Sequence, residues 1–197
     1  MSPGLGTKQA RGKTKVNTLI TGRGRSGKST FAQELARQRG GPVLFVATAE
    51  AGDDEMRRRI ERHRRERPAG WRTLEGTTGL GPLICREAGG ARVVILDCVT
   101  LLVSNVLGHY YSADGGPVDD ALVEAGVTAE IDGLVACLGQ TGASFIVVTN
   151  EVGLGLVPDN RAGRLYRDLL GRANQRLAAA VDEVYFMVAG LPLRIKG

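Results

Sequence analysis

The run Gly22-Arg23-Gly24-Arg25-Ser26-Gly27-Lys28-Ser29 holds residue types suited to gripping a polyphosphate. Its glycines let the backbone fold tightly enough for successive N–H groups to face phosphate oxygens. Lys28 can reach the β- and γ-phosphates, and the Ser29 hydroxyl can ligate Mg²⁺ at the start of a helix. The spacing is that of the P-loop, G-x-x-x-x-G-K-[ST], set between an apolar stretch, Val16–Thr21, and a helical one, Thr30–Arg39. The chain is therefore expected to bind a nucleoside triphosphate. Asp97 closes the apolar run Val93-Val94-Ile95-Leu96, and a carboxylate so placed holds Mg²⁺ directly or through water. Asp is also a common helix N-cap, and a helix is expected from Thr100; the P-loop upstream favours the metal role. Cys98 beside it reads as a small core residue.

The stretch Asp53–Arg67 is the other concentration of reactive types. Asp53, Asp54 and Glu55 open it, and Arg62, Arg64, Arg65 and Arg67 close it, the polarity a helix dipole favours. Met56, Ile60, His63 and Arg67 are spaced by four, three and four and share one face. Met56 and Ile60 are expected to press on the protein body, taking His63 with them. A neutral imidazole is a competent nucleophile at phosphorus, and nearby guanidiniums can stabilise a transferring phosphoryl group. Taken alone, the helix reads first as a solvated arginine face carrying an incidental histidine. A nucleic-acid-binding helix comes next, with few aromatic residues interleaved to stack bases. His109, beside Tyr110 and Tyr111, reads as a surface or packing residue, and Trp71 as a turn anchor. Thr149-Asn150-Glu151 leaves an apolar strand for a glycine-rich loop ending near Pro158, before a helix studded with Arg161, Arg164, Arg167, Asp168, Asn174 and Gln175.

These groups need a frame. Strand-like runs at Asn17–Thr21, Val43–Ala47, Val93–Asp97, Phe145–Thr149 and Glu183–Val188, with a short one at Leu193–Lys196, alternate with helical stretches. The latter are Lys28–Arg39, Asp53–Arg65, Gly81–Ala88, Thr100–Leu107, Pro117–Gly139 and Arg161–Ala180. Such alternation predicts an α/β fold, a mostly parallel sheet with helices on both faces. Ligands sit beyond the carboxyl ends of such strands. The P-loop, Thr48-Ala49-Glu50, Asp97, Asn150-Glu151 and the Ala189-Gly190 turn are therefore expected on one rim. The length of 197 residues suits one domain, placed at 16–197, after a basic extension (1–15) read as disordered; Tyr110–Pro117 reads as an exposed insertion. No apolar run approaches the roughly 20 residues of a membrane helix. Cys85, Cys98 and Cys137 have neither metal-ligand spacing nor a disulfide framework, which fits a cytoplasmic setting. The net charge of +5, concentrated between Arg57 and Arg67, suits an anionic partner.

Several stretches together are more particular than the P-loop. TGRGRSGKS (Thr21–Ser29), FVATAEAGDDEM (Phe45–Met56), RIERHRRERPAGWRTLE (Arg59–Glu75), LDCVTLLVSN (Leu96–Asn105), VTNEVGLGLVP (Val148–Pro158) and RLYRDLLGRANQRLA (Arg164–Ala178) resemble the bifunctional adenosylcobinamide kinase / adenosylcobinamide-phosphate guanylyltransferase family of cobalamin biosynthesis. The resemblance implies a three-layer, RecA-like P-loop NTPase fold, a homotrimer, and two reactions at one nucleotide region using ATP or GTP with Mg²⁺. One phosphorylates adenosylcobinamide. The other passes GMP from GTP through an enzyme histidine to adenosylcobinamide phosphate, and His63 matches that histidine. By the same matching Lys28 is catalytic, and Gly22 to Ser29, Thr48, Ala49, Glu50, Arg64, Arg65, Glu66, Arg67, Glu75 and Asp97 line the nucleotide site. Ser29 and Asp97 would hold the metal. The partner implied is a corrinoid, with neither nucleic acid nor membrane involved. Arg23 departs from the family's usual Gly-Gly pair. A P-loop small-molecule kinase without a covalent intermediate, or a RecA-like nucleic-acid ATPase, are the alternative readings of the residues.

Overall fold

The computed structural model describes residues 14–50, 52, 54–65, 67–111 and 118–197. Most of the expected N-terminal extension, Asp53, Glu66 and the 112–117 part of the insertion lie outside the described residues, as do the side chains of Glu55, Met56 and Arg59. The strands are β1 (Thr18–Gly22), β2 (Val43–Ala47), β3 (Arg72–Glu75), β4 (Val93–Asp97), β5 (Ser144–Val148), β6 (Glu183–Val188) and β7 (Leu191–Lys196). The helices are α1 (Lys28–Arg39), α2 (Asp54–Arg65), α3 (Leu80–Glu87), α4 (Val99–Tyr110), α5 (Asp120–Gln140) and α6 (Arg161–Ala180).

The strands form one sheet in the order β3-β2-β4-β5-β1-β6-β7. All neighbours pair in parallel except β7, which returns antiparallel on β6. Side chains alternate across the sheet as the two-residue period of a strand requires. Val93 and Ile95 of β4 join Ile20, Phe45, Ile146 and Val148 under α1, where Ala32 and Ala36 allow close approach. Val94 and Leu96 point the other way, into a larger core with Leu19, Phe145 and Val147 beneath α3, α4, α5 and α6. Both faces of the central strands are thus buried, which explains their unbroken apolar runs. The result is a RecA-like three-layer P-loop fold, with β5 standing between the P-loop strand β1 and the Asp97 strand β4.

The strand Arg72–Glu75 was not expected. It is short, polar and at the sheet's edge, and three of its four residues are exposed. Its parallel pairing with β2 brings Glu75 level with Ala47, beside the rim. No helix among the described residues is long and apolar enough to cross a membrane.

Candidate active site

The P-loop leaves β1 at Gly22 and enters α1 at Lys28. Gly22 has φ +147°, and a Cβ there would lie 2.8 Å from the Met187 carbonyl oxygen, so a side chain has no room. Gly27, at φ 90°, begins α1 without a side-chain cap. Lys28 Nζ donates to the carbonyls of Gly22 (3.1 Å) and Arg23 (2.7 Å), which hold the ammonium inside the loop. Ser26 Oγ is buried with no hydrogen-bond partner among the described residues. An orphaned hydroxyl, the N-terminus of α1 and a lysine converge on one concavity, a fit for the oxygens of a polyphosphate.

That concavity is a cleft of about 600 Å³ lined by Gly24, Arg25, Ser26, Gly27, Lys28, Ser29 and Thr30, with Arg58, Arg62 and His63 of α2 on its far wall. A smaller cavity of about 170 Å³ adjoins it, walled by Phe45, Ala47, Ala49, Ile60, Leu101, Arg67 and Glu75. Ser29, His63, Asp97, Cys98 and Asn150 line both. His63 and Ile60 therefore do share an inward face, as their spacing predicts. Ser29 and Asp97 line both the cleft and the cavity, and the Asp97 backbone carbonyl is tied down by the Thr48 N–H at 3.2 Å. The Ser29 hydroxyl and Asp97 carboxylate are suitable ligands for a Mg²⁺ that takes its remaining ligands from phosphate and water. Among the described residues no group of three or more His, Cys, Asp or Glu could hold a metal without such help.

The other predicted site residues are distributed less evenly. Ala49, Arg67 and Glu75 reach the smaller cavity. The Arg67 guanidinium lies 3.9 Å over the Phe45 ring, and burial lowers its pKa against the opposing pull of Asp97. Arg64 forms an ion pair with Glu75, whose hydrogen bond raises the Arg64 pKa. Arg65 pairs instead with Glu61, and Arg64, Arg65 and Glu50 are exposed and line neither cavity. Gly22 and Arg23 form the base of the loop rather than the cleft's wall, and Glu66 lies outside the described residues. Thr48 is fully buried, and its hydroxyl is engaged by the Cys98 backbone instead of facing either cavity. His109 is exposed at the end of α4, and Trp71 N–H closes a turn onto the Pro68 carbonyl at 3.0 Å. Arg58, Arg62 and Asn150 line the site although the expected nucleotide-site residues did not include them; Asn150 was expected only on the same rim as the P-loop. The signal for the arginines was the i, i+4 spacing that places both on the flank next to His63.

A family model described as cobinamide kinase / cobinamide phosphate guanyltransferase matches residues 18–195. The chain is 44% identical over 179 residues to the bifunctional adenosylcobalamin biosynthesis protein CobU of Escherichia coli K12, covering 90% of this chain and 98% of that one. It is 42% identical to the bifunctional adenosylcobalamin biosynthesis protein CobP of Pseudomonas aeruginosa PAO1, covering 92% and 98%. A solved Pyrococcus horikoshii structure shares the fold at TM-score 0.54 and 8% identity, over 93% of this chain and 88% of that one. With its P-loop and α2 histidine side by side, the chain belongs to the cobinamide kinase / cobinamide phosphate guanyltransferase family.

Proposed function

We propose that this chain is an enzyme of cobalamin biosynthesis that phosphorylates adenosylcobinamide and then guanylylates the product through a covalent intermediate on His63. The observation that carries the reading is that His63 borders both the phosphate cleft and the adjoining cavity. A GTP with its β- and γ-phosphates on the P-loop and its nucleoside beside Phe45, Ile60 and Leu101 has its α-phosphorus at the shared boundary. There the imidazole lone pair forms an N–P bond while the bond to the β-phosphate oxygen breaks, its electron pair leaving with pyrophosphate; the imidazole gives up its other N–H proton. A phosphate oxygen of adenosylcobinamide phosphate then attacks the same phosphorus. The N–P pair returns to His63, which takes back a proton to become neutral imidazole again, releasing adenosylcobinamide-GDP. Dividing one displacement into two is the advantage of an enzyme nucleophile.

In the kinase step the aminopropanol hydroxyl attacks the γ-phosphorus of ATP or GTP, the nucleoside diphosphate leaves with the bond's electron pair, and the hydroxyl proton is released. Lys28, Arg58 and Arg62 neutralise the phosphates. Ser29 and Asp97 would hold a Mg²⁺ ion, which would supply further charge neutralisation. The working unit in this reading is a single domain, 16–197, in a cytoplasmic homotrimer.

The test is a chase. Protein loaded with GTP labelled at the α-phosphate is desalted and given adenosylcobinamide phosphate. Label moving from protein to adenosylcobinamide-GDP supports the reading; product formed without label ever residing on the protein contradicts it.

A further inference from the structure

Asn150 is held more firmly than a loop residue requires. Its N–H donates to Thr100 Oγ1 at 2.8 Å, and its carbonyl accepts from Asn174 Nδ2 at 2.9 Å. Next to it, the Thr149 hydroxyl donates to Asn174 Oδ1 at 2.7 Å, so one carboxamide on α6 grips two successive residues. The Thr149 N–H donates to the Ile20 carbonyl (3.0 Å) and the Glu151 N–H to the Gly22 carbonyl (3.1 Å), tying the segment to the P-loop strand. Every hydrogen bond Asn150 makes, however, is through its backbone: its carboxamide has no partner among the described residues. Because β5 lies between β1 and β4, this unpaired amide emerges between the P-loop and Asp97.

Arg58 and Arg62 reach only the phosphate cleft and Arg67 only the smaller cavity. Of the five residues lining both, Asp97 is a carboxylate, Cys98 a thiol, Ser29 the suitable metal ligand and His63 the nucleophile. Asn150 alone offers a strong, neutral N–H donor there. Resting on the His63 reading above, we propose that Asn150 is a catalytic residue. Its Nδ2–H donates to a non-bridging oxygen of the α-phosphoryl group during transfer to His63, and Asn174 is the residue that positions it. Asn150 exchanges no proton. The bond forms from the imidazole lone pair and the broken bond's pair leaves with pyrophosphate, while the amide's hydrogen bond strengthens as charge accumulates on the phosphoryl oxygens.

The experiment is single-turnover label transfer from α-labelled GTP with full-length protein and Mg²⁺. Asn150→Ala is expected to slow labelling by about 10²-fold, the usual cost of losing one oxyanion donor, with the GTP Kd within about threefold of wild type. Asn150→Asp keeps the shape but removes the donor, so it guards against a folding artefact and is expected to be at least as slow. Asn174→Ala slows labelling about tenfold, and adding it to Asn150→Ala has no further effect, because both act through one amide. His63→Ala takes no label. Wild-type labelling rates in both Asn150 variants, with His63→Ala unlabelled, overturn the role of Asn150 and leave the covalent route standing. A rate loss matched by an equal loss of GTP affinity also overturns it. Label on His63→Ala overturns the reading beneath.

Discussion

Thr48 and Cys98 exchange two hydrogen bonds: the Cys98 N–H donates to Thr48 Oγ1 at 2.7 Å, and the same hydroxyl donates to the Cys98 carbonyl at 2.8 Å. Side chain and backbone thereby lock the end of β2 to the residue after Asp97. Thr48→Val keeps the volume but leaves the Cys98 N–H unpaired in the interior, its carbonyl still accepting from the Leu102 N–H at 3.2 Å, which should cost about 1–3 kcal/mol. Urea denaturation would register this as a lower midpoint at unchanged slope. A midpoint equal to wild type would mean that the pair is dispensable.

Arg58 and Arg62 face the phosphate cleft from α2. Each variant to Ala should raise the KM for GTP roughly five- to tenfold, about 1 kcal/mol of lost charge pairing. The effect should shrink at high salt, since both side chains are solvent-exposed. Steady-state kinetics at two ionic strengths check it; a KM that does not move would place the triphosphate away from α2.

Much of this was legible beforehand because burial on both faces writes itself into the composition of a central strand. Val93-Val94-Ile95-Leu96 divides its side chains between two cores and reads as continuous apolar sequence. Arg72–Glu75 had no such mark, being a polar edge strand with one face of contacts, and the site wall it supplies through Glu75 was reached only by resemblance. The rim position of Asn150 was legible, but its unpaired amide was not, because the partners that hold its backbone come from Thr100 and Asn174, 50 and 24 residues away. Thr48 shows the converse case: its place at a strand end was readable, and the consumption of its hydroxyl by Cys98 was not.

Two glycines should respond oppositely to alanine. A Cβ on Gly81 of α3 would fall 2.3 Å from the Gly133 carbonyl of α5, so Gly81→Ala must push the helices apart and should cost about 1–3 kcal/mol. Gly171, inside α6, has no neighbouring atom within 4 Å of such a Cβ, and Gly171→Ala should add about 0.5–1 kcal/mol through better helix propensity. Melting temperatures decide both.

Burial pushes the Cys98 thiol up to about 11, aided by the neighbouring Asp97 charge, and the Cys137 thiol up to about 12. Both folded values lie above the ordinary thiol value, so the unfolded chain loses these protons first. The resulting stability is complete below about pH 8.5, the usual thiol value, and declines as pH rises through 11 and 12. Denaturant midpoints measured from pH 8 to 11 should fall, and Cys98→Ala should flatten the decline. An unchanged slope in that variant would remove Cys98 as a cause.

The central claim is that His63 accepts the guanylyl group, and intact-protein mass spectrometry after incubation with GTP and Mg²⁺ tests it most directly. One added guanylyl group is expected, acid-labile, mapped to the His63 peptide and absent from His63→Ala. An unmodified wild-type protein that still makes adenosylcobinamide-GDP, or an adduct that survives in His63→Ala, would contradict the account.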